Sequence, residues 1–517
     1  MLSFLIRCFV GALLTFNLFA DTDMYPTEVA MDSTGQYIYS IWNKFDTDIS
    51  TVQTSLSTDS GETWQIPTTT PADGGTPNLS KNGKDAFDPQ ITADSTGQYV
   101  YAIWRCITGS SYFIVQTAYS LDYGVTWQYP TSTPADGGSP NLSDDGNNTY
   151  TPVIRTSSTG QYVYAIWCRD SNAMIVVQTA YSSDYGVTWQ NPTATTGDGG
   201  SPNLSDNNGS AYESMIIADS TGQYVYAIWT RSDGVNWVIQ TVKSSDYGVS
   251  WQKPTSTTGD GGSPDLSNNG KMAMYPCVVS DSTGQYLVAI WQRAGSSNNM
   301  LIQVARSADY GVTWINPTTT TGDGGVPNLS NNSEHACFSH LSSDSTGQNV
   351  YVIWCIMQGI NNRIVEAASS SDYGVTWINP TALNYQVDDN IELPAGPTIN
   401  TTLSKKYAYV ATFNPLVISQ KANAIVLVDG IYLENNYTYS NKGDLLKGQY
   451  VNSIYWDLVV GAVSYKVYLD SMGTLVYEGT DLQYFDQHMF LKDEKTYLVT
   501  WLDSESVESD PSQIVIP

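Results

Sequence analysis

Hydrophobic residues in this chain fall in short runs bounded by polar turn residues. One group shows the plan: Pro89–Ala93, the turn Asp94-Ser-Thr-Gly97, the run Gln98-Tyr-Val-Tyr-Ala-Ile-Trp104, then Ile114-Val-Gln-Thr-Ala-Tyr119. The runs are rich in β-branched and aromatic residues, as half-buried strands require. Thr126-Trp127-Gln128 opens a fourth strand of the same group. After the first twenty residues no segment keeps a helical period over ten or more positions. The pattern predicts an all-β chain.

The group recurs. The second run ends in tryptophan at Trp42, Trp104, Trp167, Trp229, Trp291 and Trp354. An eight-residue turn follows each third run, at Ser57–Trp64, Ser120–Trp127, Ser182–Trp189, Ser244–Trp251, Ser307–Trp314 and Ser370–Trp377. Its aspartates, Asp59, Asp122, Asp184, Asp246, Asp309 and Asp372, lie 62 or 63 residues apart. A fixed period of this kind marks a repeat architecture in which each unit buries its faces against its neighbours.

The turn pattern Ser-x-Asp-x-Gly-x-Thr-Trp resembles the Asp-box of sialidases and related bacterial-neuraminidase repeat proteins, over roughly residues 26 to 430. The resemblance implies a β-propeller, with each box joining the third and fourth strands of a blade on the side away from the active-site face. The residues give the box a structural role: aspartate accepts backbone N–H groups, glycine supplies positive φ, and tryptophan packs inward. A degenerate seventh copy, Ser404–Phe413 and Ala424–Val428 with Asp429-Gly430, predicts seven blades; six is the alternative. A connector between groups also repeats, at Asp73–Ser80, Asp136–Ser143, Asp198–Ser205, Asp260–Ser267 and Asp323–Ser330. It reads either as a decorated ligand-binding face or as loops folded back on their blade by Gly, Pro and Asn turns.

Beyond about residue 440 the texture changes. Ser453–Trp456, Gly461–Tyr468, Thr474–Tyr477 and Lys495–Trp501 resemble a fibronectin type III module, with Trp456, Tyr465 and Tyr497 in its core. The expected division is a signal peptide over 1–20, a propeller over 21–438 and a small β-sandwich over 439–517. The signal peptide is read from the apolar run Phe4–Ala20 with Arg7 near its start. An exported monomer follows, with no segment inserting in a membrane.

Charge narrows the partners. A net charge of −28 and a pI near 4.1 repel phosphate backbones and anionic membranes, so nucleic acid is excluded. The five cysteines after residue 20 have no regular spacing and form no disulfide framework. A hairpin at Ser345-Thr346-Gly347 sets Cys337 opposite Cys355, with His335 nearby; buried thiols, a disulfide and a zinc site are the readings. No metal or cofactor is expected.

Only seven arginines follow residue 20, and four of them sit one or two residues after the second-run tryptophan. Arg105, Arg169, Arg231 and Arg293, with Lys44 in the first unit, are the candidate ligand-binding residues. They read as a cationic arc for an anionic sugar, or as cations stacked on each unit's own tryptophan or paired with loop aspartates. The resemblance implies three arginines gripping a carboxylate, a Tyr–Glu nucleophile pair and an aspartic acid/base. Planar guanidinium forks suit that grip. Here the family's first arginine segment reads Met24-Tyr25-Pro26-Thr27, without arginine. Repeat-breaking residues are the other candidates: Glu366 where other units have glutamine, with Arg363, Arg155 and Glu213. Only His335, His340 and His488 are present, so no Ser-His-Asp grouping is supported. The expectation is a non-catalytic binder of glycan or another cell-surface ligand; the alternative is an exo-α-sialidase.

Overall fold

The computed structural model describes residues 24–378, except 47–48, 62, 73, 82, 108–111, 172–173, 233, 235, 268–269, 296–298 and 358–362, and a series of strands between 385 and 516. The expected signal peptide and Asp429-Gly430 lie outside the described residues.

All regular structure described is β. Sheet one comprises β1 (Met24–Met31), β2 (Ile38–Asp46) and β3 (Ile49–Ser57). Sheet two comprises β4 (Ala86–Ala93), β5 (Val100–Ile107) and β6 (Phe113–Ser120). Sheet three comprises β7 (Thr149–Thr156), β8 (Val163–Ser171) and β9 (Met174–Ser182), and sheet four β10 (Ser210–Ala218), β11 (Val225–Ser232) and β12 (Trp237–Ser244). Sheet five is β13 (Ala273–Ser280), β14 (Leu287–Ala294) and β15 (Met300–Ser307). Sheet six is β16 (His335–Ser343), β17 (Val350–Met357) and β18 (Arg363–Ser370), extended by β19 (Tyr385–Val387). Each is an antiparallel meander of consecutive strands.

Sheets one to five have three strands where four were expected. The segment after each turn tryptophan makes single bridges only, such as Gln128 with Tyr119 and Gln190 with Tyr181. Pro67, Pro130, Pro192, Pro254 and Pro317 follow within three residues of that tryptophan. Proline removes the ladder donor and stops the strand.

The first strands lie side by side in succession: β1 by β4, β4 by β7, β7 by β10, β10 by β13 and β13 by β16. Arg155 on β7 nonetheless feels both Glu28 on β1 and Cys277 on β13 electrostatically. Strands that are not neighbours in the row therefore face a common centre, and the row is curved. Glu28 touches solvent yet is crowded by protein, the situation of a side chain lining a narrow channel. Gln90, Val153, Met215, Cys277 and His340 hold the register position of Glu28 on the other first strands.

The core sits in the seams between sheets. One cluster joins Tyr39, Ile41 and Leu56 of sheet one to Ile91, Val100 and Trp104 of sheet two. At the turn end the seams are stitched in the same way each time. Tyr39, Tyr101, Tyr164 and Tyr226 donate their hydroxyls to Gly97, Gly160, Gly222 and Gly284 carbonyls of the next sheet at 2.5–2.6 Å. Tyrosine pairs from Tyr37–Tyr123 to Tyr286–Tyr373 stack across successive seams with centroids 4.1–4.5 Å apart. Much of the tyrosine is thus structural.

The remaining strands are β20 (Thr398–Thr401), β21 (Ala408–Ala411), β22 (Ala424–Val428), β23 (Ile431–Thr438), β24 (Gln449–Trp456), β25 (Ser464–Leu469), β26 (Leu475–Gly479), β27 (Gln483–Met489), β28 (Lys495–Leu502) and β29 (Ser512–Ile516). They form one sheet ordered β20-β21-β22-β23-β24-β27 and another ordered β26-β25-β28-β29. The first spans both sides of residue 438, and β20 packs beside β16.

Candidate functional site

In an antiparallel meander the first and third turns share one end and the second loop lies at the other. The repeated turn is closed on itself. In the third copy, the Ser182 Oγ donates to Asp184 and accepts the N–H groups of Asp184 and Gly186, while Asp184 accepts the N–H and hydroxyl of Thr188 at 2.8 and 2.7 Å. The aspartate thus reaches four residues on, and serine supplies the nearer acceptor. A Cβ at Gly186 would stand 3.1 Å from the Tyr101 ring of the neighbouring sheet. The aspartate, serine and threonine of this turn are thus engaged with one another, which gives the turn a structural role.

The connectors are also structural. Leu79, Leu142, Leu204, Leu266 and Leu329 are buried. Asn141 bridges Gln116 of β6, and Val115 and Leu142 pair through the backbone. In sheets two to five the second-strand tryptophan donates to a glutamine, and that glutamine donates to a connector Asn or Asp: Trp167 to Gln178 at 3.1 Å, Gln178 to Asn203 at 2.8 Å. The connectors are folded back on their own sheets.

The other end is built differently. Each first strand slips register before its inner half, between Phe87 and Gln90 for example. In five of the six the first slipped residue takes positive φ: Asp88 (51°), Thr151 (42°), Glu213 (54°), Tyr275 (55°) and Phe338 (52°). None is glycine, and such positions are rare, above all for a β-branched residue. A bulge re-aims its side chain, and such strain concentrates at functional sites. Asp88, Thr151, Tyr275 and Phe338 are exposed and Glu213 half-buried, around the channel mouth. Glu213 accepts the Thr230 hydroxyl and the Tyr275 N–H, each at 2.7 Å, so it ties sheet four to sheet five.

The five predicted cations lie at this end but not on one surface. Lys44, Arg169, Arg231 and Arg293 pair with Met24, Thr149, Ala211 and Ala273, whereas Arg105 pairs with Phe87, one step closer to the slip. Successive strand side chains point to opposite faces. Arg105 therefore points forward to sheet three, where its Nη1 donates to the Thr149 carbonyl at 3.1 Å; its Nε and Nη2 grip Asp88 at 2.7 and 2.6 Å. Its guanidinium lies over the Phe113 and Tyr150 rings. Arg169 points back and donates to the Asp144 carbonyl at 3.4 Å, and Arg231 donates to the Asn208 side chain. Burial lowers the Arg293 pKa, which Asp260 opposes, and Lys44 is half-buried.

The other arginines are elsewhere. Burial lowers the Arg155 pKa in the channel while Glu28 opposes it, and Arg306 feels Asp372 at the turn end. The side chain of Arg363 lies outside the described residues. The described guanidinium groups thus occupy different seams, the channel and the turn end, rather than one carboxylate grip. Glu366 accepts the Trp354 indole at 3.1 Å in place of the usual glutamine; burial, then Glu334, push its pKa up while that hydrogen bond lowers it. Cys337 is the cross-strand partner of Cys355, both buried thiols, and His335 Nδ1 accepts the Met300 N–H at 3.4 Å. No cluster of metal-ligating side chains occurs among the described residues.

Sequence reasoning passed over Asp88, Tyr150, Asp170, Tyr212 and Trp237. The signal was available in part: Trp237 interrupts the repeat at the start of a third strand. Among the described residues no helix is long and apolar enough to cross a membrane.

No protein-family model matches the chain, and no curated protein does. Solved structures similar at low identity include three carbohydrate-active enzymes. A Hadza microbial sialidase is 13% identical, over 65% of this chain and 63% of that chain, with a TM-score of 0.36. An ulvan lyase from a polysaccharide lyase family is 11% identical, over 78% and 88%, with a TM-score of 0.42. A xyloglucanase from Xanthomonas campestris is 10% identical, over 93% and 78%, with a TM-score of 0.32. Identities this low leave function to be argued from the residues of this chain.

Proposed function

We propose that this is an exported, monomeric, sialidase-like propeller that binds a glycan or another cell-surface ligand at its channel-mouth face, without catalysis. The observation carrying the reading is the curved row of slipped first-strand residues. Five successive sheets hold Asp88, Thr151, Glu213, Tyr275 and Phe338 in a costly backbone conformation at the same place on each first strand. Tyr275 is 53% and Phe338 40% exposed, large apolar surfaces that a fold would otherwise cover. Flat aromatic faces beside hydroxyl and carboxylate acceptors suit the apolar faces and hydroxyl edges of sugar rings. Lys44, Arg105, Arg169, Arg231 and Arg293 frame this face as positioning groups. In the full proposal β20–β22 begin a seventh blade beside sheet six, and a fibronectin type III-like sandwich closes the chain.

The test is a glycan array with the mature protein and Tyr275→Ser and Phe338→Ser variants, run with a fluorogenic α-sialoside assay. Binding that drops at least about tenfold in both variants supports the reading, as loss of a stacking face should. Unchanged binding sinks the mouth as the site. Turnover of the sialoside would replace the binder by the hydrolase.

A further inference from the structure

A second candidate site lies beside the slipped residues Thr151 and Glu213, in the seam between sheets three and four. A cleft of about 390 Å³ opens there, lined by Asp170 and Met174 from sheet three, Ser210 and Tyr212 from sheet four, and Asn147 from the preceding connector. That volume is at the small end of ligand pockets, which run from about 300 to 1,000 Å³. It suits one or two sugar rings.

The walls divide by chemistry. Tyr212 supplies an aromatic face, and its ring packs on Trp237 with centroids 5.4 Å apart at 34°. A ring already packed gives up little freedom when a ligand stacks on it. Asp170 supplies the carboxylate. Its two oxygens share the Tyr150 hydroxyl at 3.2 and 3.1 Å. A carboxylate accepts about four hydrogen bonds, so lone pairs on both oxygens remain for two further donors. The Tyr150 ring in turn lies under Arg105, at 5.9 Å. Ser210 is engaged in the seam, accepting the Ile175 N–H at 3.2 Å, and so fixes the spacing of the two walls.

Among the described residues lining the cleft, Asp170 is the only acidic or basic side chain, in a chain of net charge −28. A carboxylate or sulfate on the ligand would meet that negative charge with no lining cation to offset it. We propose that this cleft binds an uncharged saccharide ring, with adjacent hydroxyls donating to Asp170 and the ring face stacked on Tyr212. Arg105 acts as a positioning residue through Tyr150. The site uses none of Asp88, Thr151, Glu213, Tyr275 and Phe338 and shares only Arg105 with the proposed function, so the Asp170→Asn and Tyr275→Ser variants let either reading fail alone.

The test is titration of the mature protein with lactose, cellobiose, diacetylchitobiose and sialyllactose, followed by calorimetry. At least one neutral sugar binds more tightly than sialyllactose. Asp170→Asn, which keeps the shape and removes the charge, weakens it tenfold or more, and Tyr212→Ala does the same. Tyr150→Phe weakens it by a few-fold with the melting temperature little changed, while Tyr275→Ser leaves it as in the wild type. Failure of all three neutral sugars to bind, preference for sialyllactose, or unchanged affinity in Asp170→Asn and Tyr212→Ala would each overturn the proposal.

Discussion

Glu366 stands where sheets two to five carry glutamine, and it keeps only half of that residue's work. It accepts from Trp354 but, ionised, has no proton to donate onward. Burial and Glu334 raise its pKa. A raised folded-state pKa contributes stability below the unfolded value and loses it as pH rises through the folded one. Glu366→Gln is therefore expected to raise the melting temperature at pH 7–8, by roughly 2–4 °C per kcal/mol gained, with the gain fading towards pH 4. Calorimetric scans across that range check it; a gain independent of pH would show that ionisation is not the cause. The same scale explains what the sequence hid about the cations. Arg105 follows its tryptophan by one residue and Arg169, Arg231 and Arg293 by two, so a count along the chain groups residues that the strand separates onto opposite faces. The partners that hold them, Asp88 and the Asp144 carbonyl, belong to a slipped strand and a loop, and neither position follows from composition.

Elements were more legible than sites. The second strand of all six units was visible as an apolar run ending in tryptophan, and the second unit showed the first and third strands beside it, because each needs a buried face and a polar boundary. The fourth strand was expected but makes only single bridges in sheets one to five, since proline ends it before a ladder forms. The connectors offered two readings, and the folded-back one describes them: Leu204 is 1% exposed, and its N–H reaches the Val177 carbonyl at 2.7 Å. Leu204→Ala should cost about 2–5 kcal/mol, the usual range for a buried leucine. Urea unfolding would measure it, and a cost under about 0.5 kcal/mol would mean that the connector is a loose surface loop. The register slips of the first strands left no mark in sequence, because Pro-containing and Pro-free segments adopt them alike: Asp88-Pro89 and Glu213-Ser214 both do.

On the scale of the whole molecule, acid should be the weak point. Burial pushes Asp59, Asp309 and Asp372 up, but hydrogen bonds from Thr63, Thr313, Thr376 and the turn serines outweigh it and leave all three below the ordinary value. Lowered carboxylate pKa values stabilise above the unfolded value, about 3.9, and the benefit disappears as pH falls through the folded ones. Thermal stability is expected to hold down to about pH 4 and to drop below it; a flat profile to pH 2 would show that the turns do not contribute in this way.

The stitching between sheets has a further consequence. From sheet one to sheet five, each seam uses a tyrosine hydroxyl on the next sheet's Gly carbonyl or a stacked tyrosine pair at the same place. An inner unit that was duplicated or lost would find matching partners on both sides. The array is thus a set of interchangeable cassettes at one end, free to be lengthened or shuffled by recombination, while sheets two to six each carry a different residue at the slipped position of the other end.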